Sequence, residues 1–242
     1  MRVPFVPNTL KLLVVLVVIL FCSMAYAGHV RTSFMPFPAL NVEKSWLMVG
    51  TRLGGLKYDR AACQAALKAP NVQKSFVKDS PFKNGCGWVN SVRIRQFSGA
   101  KISPIKLSCP MGAGLAMWMA QVVQPAAKKY FGTTVSRVNH LGGYSCRNIK
   151  GSLLSKYINV KSEHATANAI DISGFALANG SKVSILRDWP YKSKKGGGKK
   201  AKFLRDIHYG ACTYFRVVLG PEANRLHANH FHFDRGLLLR CK

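Results

Sequence analysis

Acidic side chains are scarce in this chain: Asp and Glu together number 9 against 36 Lys and Arg, a formal net charge of +27. Such an imbalance predicts adhesion to polyanions. A nucleic-acid partner is nevertheless not expected, because no recognition-helix pattern, RNP-like aromatic motif or zinc finger is present. No cysteine pair stands in C-x-x-C spacing, which argues against a thiolate zinc ribbon. The stretch KSKKGGGKKAK (Lys192 to Lys202) lacks the G-x-x-x-x-G-K-[ST] spacing of a phosphate loop. Nucleotide binding is therefore rejected, and a flexible basic surface loop is expected there. Long hydrophobic runs are missing too, since Leu12 to Ala27 falls short of the ~20 residues that a spanning helix needs.

What the N-terminus does hold is two cations (Arg2, Lys11), an apolar run from Leu12 to about Phe21, and Ala25-Tyr26-Ala27. This order is that of a secretory signal peptide over residues 1–27, cleaved after Ala27. The protein is expected to be exported, to the periplasm of a Gram-negative bacterium, with no membrane span after cleavage; the alternative is an anchor formed by residues 12–27. Of the 7 cysteines, Cys22 belongs to the signal. Cys63, Cys86, Cys109, Cys146, Cys212 and Cys241 remain, a disulfide count for an exported chain. Sequence does not choose among the pairings; neighbours in order (63–86, 109–146, 212–241) are the expectation.

A chain of 242 residues can bury a core without a metal. Residues 28–58, with Pro36, Pro38 and scattered glycines, read as a spacer, and residues 59–242 as the domain. Arg60 to Ala69 is a short helix candidate. Ser108-Cys109-Pro110 opens the clearest helix, with Ser108 as N-cap, Pro110 in the first turn, Leu115, Trp118, Met119, Val122 and Val123 as core positions, and Pro125 kinking or ending it. Val135 to His140 and Ala169 to Phe175 are expected strands, and Asn179-Gly180 a type I′ hairpin turn. Phe203 to Phe215 reads as a helix, and Arg216 to Leu219 and His230 to Phe233 as strands. The class is α+β: a single disulfide-stabilised domain around a small antiparallel sheet with flanking helices.

His227-Ala-Asn-His-Phe-His232 places three of the 7 histidines within one short segment. Alternation along a strand puts His230 and His232 on one side and Phe231 and Phe233 on the other. Upstream, Ser162-Glu-His-Ala-Thr-Ala-Asn-Ala-Ile-Asp171 sets His164 at the mouth of a loop and Asp171 in the following strand. If the two strands pair, His164, Asp171 and one of His230 and His232 converge. Two imidazoles and one carboxylate form a catalytic zinc set with the fourth position left to water, whose pKa such a metal lowers to about 7.

Four segments, SEHATANAIDI (Ser162 to Ile172), LGPEANRLHANHFHFD (Leu219 to Asp234), YSCRNI (Tyr144 to Ile149) and SCP (Ser108 to Pro110), resemble the bacterial extensin-like C-terminal domain family over roughly residues 60–242. The chain has none of the Ser-Pro repeats of a plant extensin. The two histidine motifs are also similar to the H-x6-D and H-x-H motifs of the superfamily of zinc D-Ala-D-Ala carboxypeptidases, lysostaphin-type endopeptidases and murein endopeptidases. That resemblance implies His164, Asp171 and His232 as Zn2+ ligands, with His230 and His227 assisting proton transfer. Arg147 and Tyr144, similar to a Tyr-Arg substrate clamp with a longer spacing, are implied in substrate binding. Glu163 is expected to face outward. The implied function is an exported zinc-dependent peptidoglycan hydrolase cutting an amide bond in cell-wall peptides, as endopeptidase or carboxypeptidase, with peptidoglycan or another anionic envelope polymer as partner. The competing expectation is a non-catalytic, zinc-containing wall-binding or structural protein.

Overall fold

The computed structural model describes residues 8–26, 40–44, 48–150, 159–190 and 198–242. In chain order the elements are α1 (Asn8–Tyr26), α2 (Val49–Gly55), α3 (Arg60–Ala66), β1 (Val72–Val77), β2 (Ser80–Lys83), β3 (Cys86–Trp88), β4 (Ser91–Phe97), β5 (Ala100–Ser108), α4 (Cys109–Trp118), α5 (Gln124–Phe131), β6 (Val135–Gly142), β7 (Ala169–Leu177), β8 (Lys182–Ser184), α6 (Ile185–Asp188), α7 (Lys199–Ala211), β9 (Val217–Leu219), β10 (Phe231–Asp234) and β11 (Arg240–Cys241). The main sheet runs β1-β4-β5-β6-β7-β10-β9-β11, with β8 beside β7, while β2 and β3 form a separate hairpin. The expected α+β class with flanking helices and disulfides is what the chain adopts. Its sheet, at 9 strands, is larger than expected. Among the described residues no helix is long and apolar enough to cross a membrane.

Neighbouring strands are antiparallel except β5 with β6 and β9 with β11. A parallel β5–β6 pair requires a crossover, supplied by α4, a π-helical turn over Met119–Val123, and α5. Every residue of α4 is buried. A Cβ on Gly112 would lie 2.7 Å from Val92 Cγ2, so glycine lets the helix lie close on β4. Trp118 donates from Nε1 to Ile207 O at 2.8 Å and meets Phe233 edge-on at 5.2 Å. Pro110 sits in the first turn as expected, but the Ser108 hydroxyl does not cap the helix; it donates to Asn168 Oδ1 at 2.9 Å. Pro125 lacks an N–H and its ring crowds the carbonyl four residues back. The preceding π-helical turn accommodates it and leaves it in the first turn of α5.

Four further expectations are corrected. Of the supposed spacer, residues 28–39 and 45–47 lie outside the described residues, but Leu40, Val42, Val49, Leu53 and Leu56 are buried in the main core. A helix as short as V-G-T-R-L-G-G has too few turns to show a period. At the Asn179-Gly180 turn only Gly180 has positive φ, at 85°. Gly180 N donates to Leu177 O and Leu177 N to Ser181 O, so this is a longer turn closed by a left-handed glycine rather than type I′. Of the basic loop, Lys192 to Gly197 fall outside the described residues, whereas Lys199 to Lys202 begin α7, lysine and alanine being good helix formers. Finally, the disulfides are Cys63–Cys109, Cys86–Cys146 and Cys212–Cys241. Only the last joins neighbours as expected; the other two interleave, because α3 packs beside the first turn of α4 and β3 reaches the loop that follows β6.

His208 of α7 is buried, 2 % exposed, among Trp189, Tyr209 and Phe231. Neither ring nitrogen makes a hydrogen bond of good geometry among the described residues. Burial holds its pKa down to about 4 from 6.5, with the Leu219 backbone opposing in part. Folding therefore excludes a proton that the unfolded chain would take up. The native state bears no penalty from this group above pH 6.5, loses stability as pH falls toward 4, and loses no more below. That loss amounts to about 3 kcal/mol. Urea unfolding at pH 7.5 and pH 4 is expected to show a drop in stability about 3 kcal/mol smaller in His208→Leu than in the parent protein; an equal drop in both would show that His208 contributes nothing to the acid response.

Candidate metal centre

The pairing of β7 with β10 sets His232 directly opposite Asp171. Ile170 and Ile172 on β7, and Phe231 and Phe233 on β10, are fully buried. Since alternate side chains in a strand point to opposite faces, this apolar set turns Asp171, His232 and Asp234 to the other face. His164 comes from the 3-10 turn Glu163–Thr166, whose N-cap Ser162 accepts a hydrogen bond from the His164 amide. It is buried to 2 % exposure.

His164, Asp171 and His232 offer one ligand atom each, all within 4.8 Å of one another. His164 Nδ1 lies 2.6 Å from Gly143 O, and a carbonyl only accepts; Nδ1 carries the hydrogen and the lone pair on Nε2 faces inward. His232 Nε2 lies 3.0 Å from Asp234 Oδ2 and donates to it, which turns Nδ1 toward Asp171 Oδ1 at 2.9 Å. His164 Nε2 is 3.2 Å from Asp171 Oδ2 and 3.3 Å from His232 Nδ1. Two imidazole nitrogens and a carboxylate thus meet at one point, each ring held from outside by an acceptor. This is how metal-ligating histidines are oriented, and the donor set fits zinc and other divalent ions.

Charge favours a cation there as well. Burial pushes the Asp171 carboxyl up, but its close contact with the His164 and His232 imidazoles outweighs this and holds the group well below the ordinary carboxylate range. Burial pulls His232 down, while Asp171 and Asp234 carry it up to about 9. The cluster therefore stabilises one positive charge at His232 Nδ1, a role that a proton or a metal ion fills. Metal uptake is accordingly coupled to proton release.

Beside this group stand His230 and His227. His230 Nε2 is 3.5 Å from Asp171 Oδ1, and its Nδ1 is 2.8 Å from Asn229 Oδ1. His227 Nδ1 is 2.8 Å from Asn224 Oδ1, and its ring lies 5.2 Å from that of His230 and 5.7 Å from that of His232. With each Nδ1 donating to an amide oxygen, both Nε2 atoms keep their lone pairs. Burial lowers both pKa values, that of His227 to about 4 with help from His232 and His230, so both rings are neutral at neutral pH.

Arg147 is near enough for its charge to depress His230, and its guanidinium Nη1 donates to Asn148 O at 3.5 Å. Tyr144 lies one residue beyond the Gly143 carbonyl, edge-on to Trp88 at 4.9 Å. Glu163 does not face outward: Oε2 accepts from Asn168 Nδ2 at 2.7 Å, and burial raises its pKa. Asp234 and the Gly143 carbonyl are the functional groups that the sequence reading misses. Strand alternation signals the first, because His232 and Asp234 are two residues apart on one face; a backbone carbonyl leaves no signal.

A family model described as extensin-like protein C-terminus matches residues 61–242. No curated protein and no solved structure matches the chain.

Proposed function

We propose, from the premise that the chain belongs to the extensin-like protein C-terminus family, that it is an exported zinc-dependent hydrolase that cuts an amide bond in the peptide part of peptidoglycan. The observation that carries this reading is the convergence of His164, Asp171 and His232 with both outer ring nitrogens engaged by acceptors. Zinc held by these three residues would polarise a scissile carbonyl and acidify a water. His230, neutral and with Nε2 at the edge of the cluster, takes the proton from that water and returns it to the leaving amine. His227, its ring tilted beside that of His230 at 5.2 Å, takes the second water proton, released when the product acid ionises, toward solvent. Asp234 holds His232 in register, and Arg147 lies beside the reacting region to steady a substrate carbonyl or carboxylate. The large positive charge keeps the enzyme on an anionic wall, an attraction that weakens with added salt.

Zinc-loaded protein incubated with muropeptides is expected to release new amino groups detectable by mass spectrometry. His230→Ala should retain its zinc and lose roughly 100-fold or more in rate, the usual weight of general acid–base catalysis. Muropeptide binding without any bond cleavage would establish the non-catalytic wall-binding reading instead.

A further inference from the structure

The alternation of β7 breaks at one residue. Ile170 and Ile172 face the core, then Phe175 and Leu177 do, so the inward parity changes between Ile172 and Phe175. The pairing with β6 shows the cause: Asn139 opposes Gly174 and His140 opposes Ile172, which leaves Ser173 as an extra, bulged residue. On its other edge β7 changes partner at the same point, from β10, where Phe231 pairs Ile172, to β8, where Ser184 pairs Gly174. Bulges commonly interrupt pairing beside active sites, and here the interruption opens a pocket of about 280 Å³.

Its lining includes Ser173, Asn139, Ser184, Asn229 and two cations, Lys182 and Arg187. Neither cation has an acidic partner among the described residues. The nearby Asp188 is engaged elsewhere, accepting from Ser184 N at 2.7 Å and pairing with Lys200 at 3.8 Å. Asn229 joins the pocket to the metal centre, because its Oδ1 holds His230 Nδ1, which leaves its amide nitrogen as a donor. Asp171 and Ser173 are two residues apart on one strand, a separation of about 7 Å. An extended peptide advances about 3.5 Å per residue. A substrate with its scissile carbonyl at the cluster therefore reaches the pocket one or two residues further on.

We propose that this pocket binds the free C-terminal carboxylate of a short peptide, held by Lys182 and Arg187 with Asn139 and Asn229 as amide donors. The inference rests on the hydrolase reading for what lies at the metal centre, and it deepens that reading: the enzyme removes one or two residues from a chain end. Cleavage inside a crosslink that continues past the pocket is disfavoured.

The test compares N-acetyl-D-alanyl-D-alanine with its C-terminal amide, titrated calorimetrically into the zinc-loaded full chain and into the double variant Lys182→Met/Arg187→Met. The acid is expected to bind at least about tenfold more tightly than the amide, as a charge-assisted contact does. That preference should vanish in the double variant while zinc content stays the same. Equal affinity for the two peptides, no binding of either, or a preference that survives in the double variant would each overturn the proposal, the last by assigning the carboxylate to the metal or to Arg147. Cleavage is followed separately by chromatography. A carboxylate preference without cleavage removes the hydrolase reading and leaves the pocket standing; cleavage without preference removes the pocket alone.

Discussion

His164→Ala and His232→Ala are each expected to abolish stoichiometric zinc binding, with affinity falling more than about 100-fold and hydrolysis falling with it. Each ring supplies one of only three donors, and neither has a substitute: His230, the nearest further imidazole, approaches Asp171 at 3.5 Å from the edge of the cluster. Asp234→Asn should be milder, weakening zinc by about 10–100-fold, since it removes the charge that orients His232 Nε2 but no ligand. His227→Ala should leave the zinc in place. Elemental analysis of the purified variants, with competition against a chromogenic chelator, orders the four. The ligand assignment fails if His164→Ala and His232→Ala, still folded by circular dichroism, keep the parent's zinc content.

Opening the Cys86–Cys146 bridge is expected to have the second largest effect, and a double one. The bridge spans 60 residues of sequence, so its loss relaxes the unfolded chain and costs about 4 kcal/mol on the loop-entropy account. It also ties down the loop that carries the Gly143 carbonyl, the group that fixes His164 with its Nε2 lone pair inward. Cys86→Ser/Cys146→Ser should therefore lose both stability in urea and about tenfold or more in zinc affinity. Cys212–Cys241 spans 29 residues and fastens β11 beside β9, away from His164. Its double serine variant should lose about 3.5 kcal/mol of stability and keep its zinc affinity. If both variants weaken zinc equally, the effect comes from general loosening rather than from Gly143.

Much of the candidate metal cluster was visible in the sequence because it lies on strands, where the side-chain period is short and apolar neighbours declare the buried face. Ile170, Ile172, Phe231 and Phe233 mark that face, and Asp171 and His232 follow as the residues between them. Chemistry supplied by the chain's path was hidden. The acceptor for His164 is a backbone oxygen, and Glu163 turns inward because Asn168, five residues on, receives it across the 3-10 turn. The sheet's size was hidden for a different reason. In β1, at the edge of that sheet, one residue in six, Val72, is buried, so polar side chains stand on both faces and no clean alternation shows. The Ser108 cap was placed correctly by its neighbours Cys109 and Pro110, yet its hydroxyl is used by a residue 60 positions away, which local rules do not reach. The pocket at Ser173 depends on a strand changing partners, a property of the whole sheet.

The interleaved bridges bear on how the chain is made. A polypeptide entering an oxidising compartment from its N-terminus exposes Cys63 and then Cys86 before Cys109 or Cys146 arrives, and thiols in proximity join first. The native partners are 63 with 109 and 86 with 146, so joining in order of emergence gives a species that must be broken and re-formed by thiol–disulfide exchange. For a chain exported as proposed, native pairing is expected to form faster with an isomerase or a thiol buffer that keeps the first bridges reversible than with oxidant alone, which would trap the chain short of the arrangement that positions Gly143.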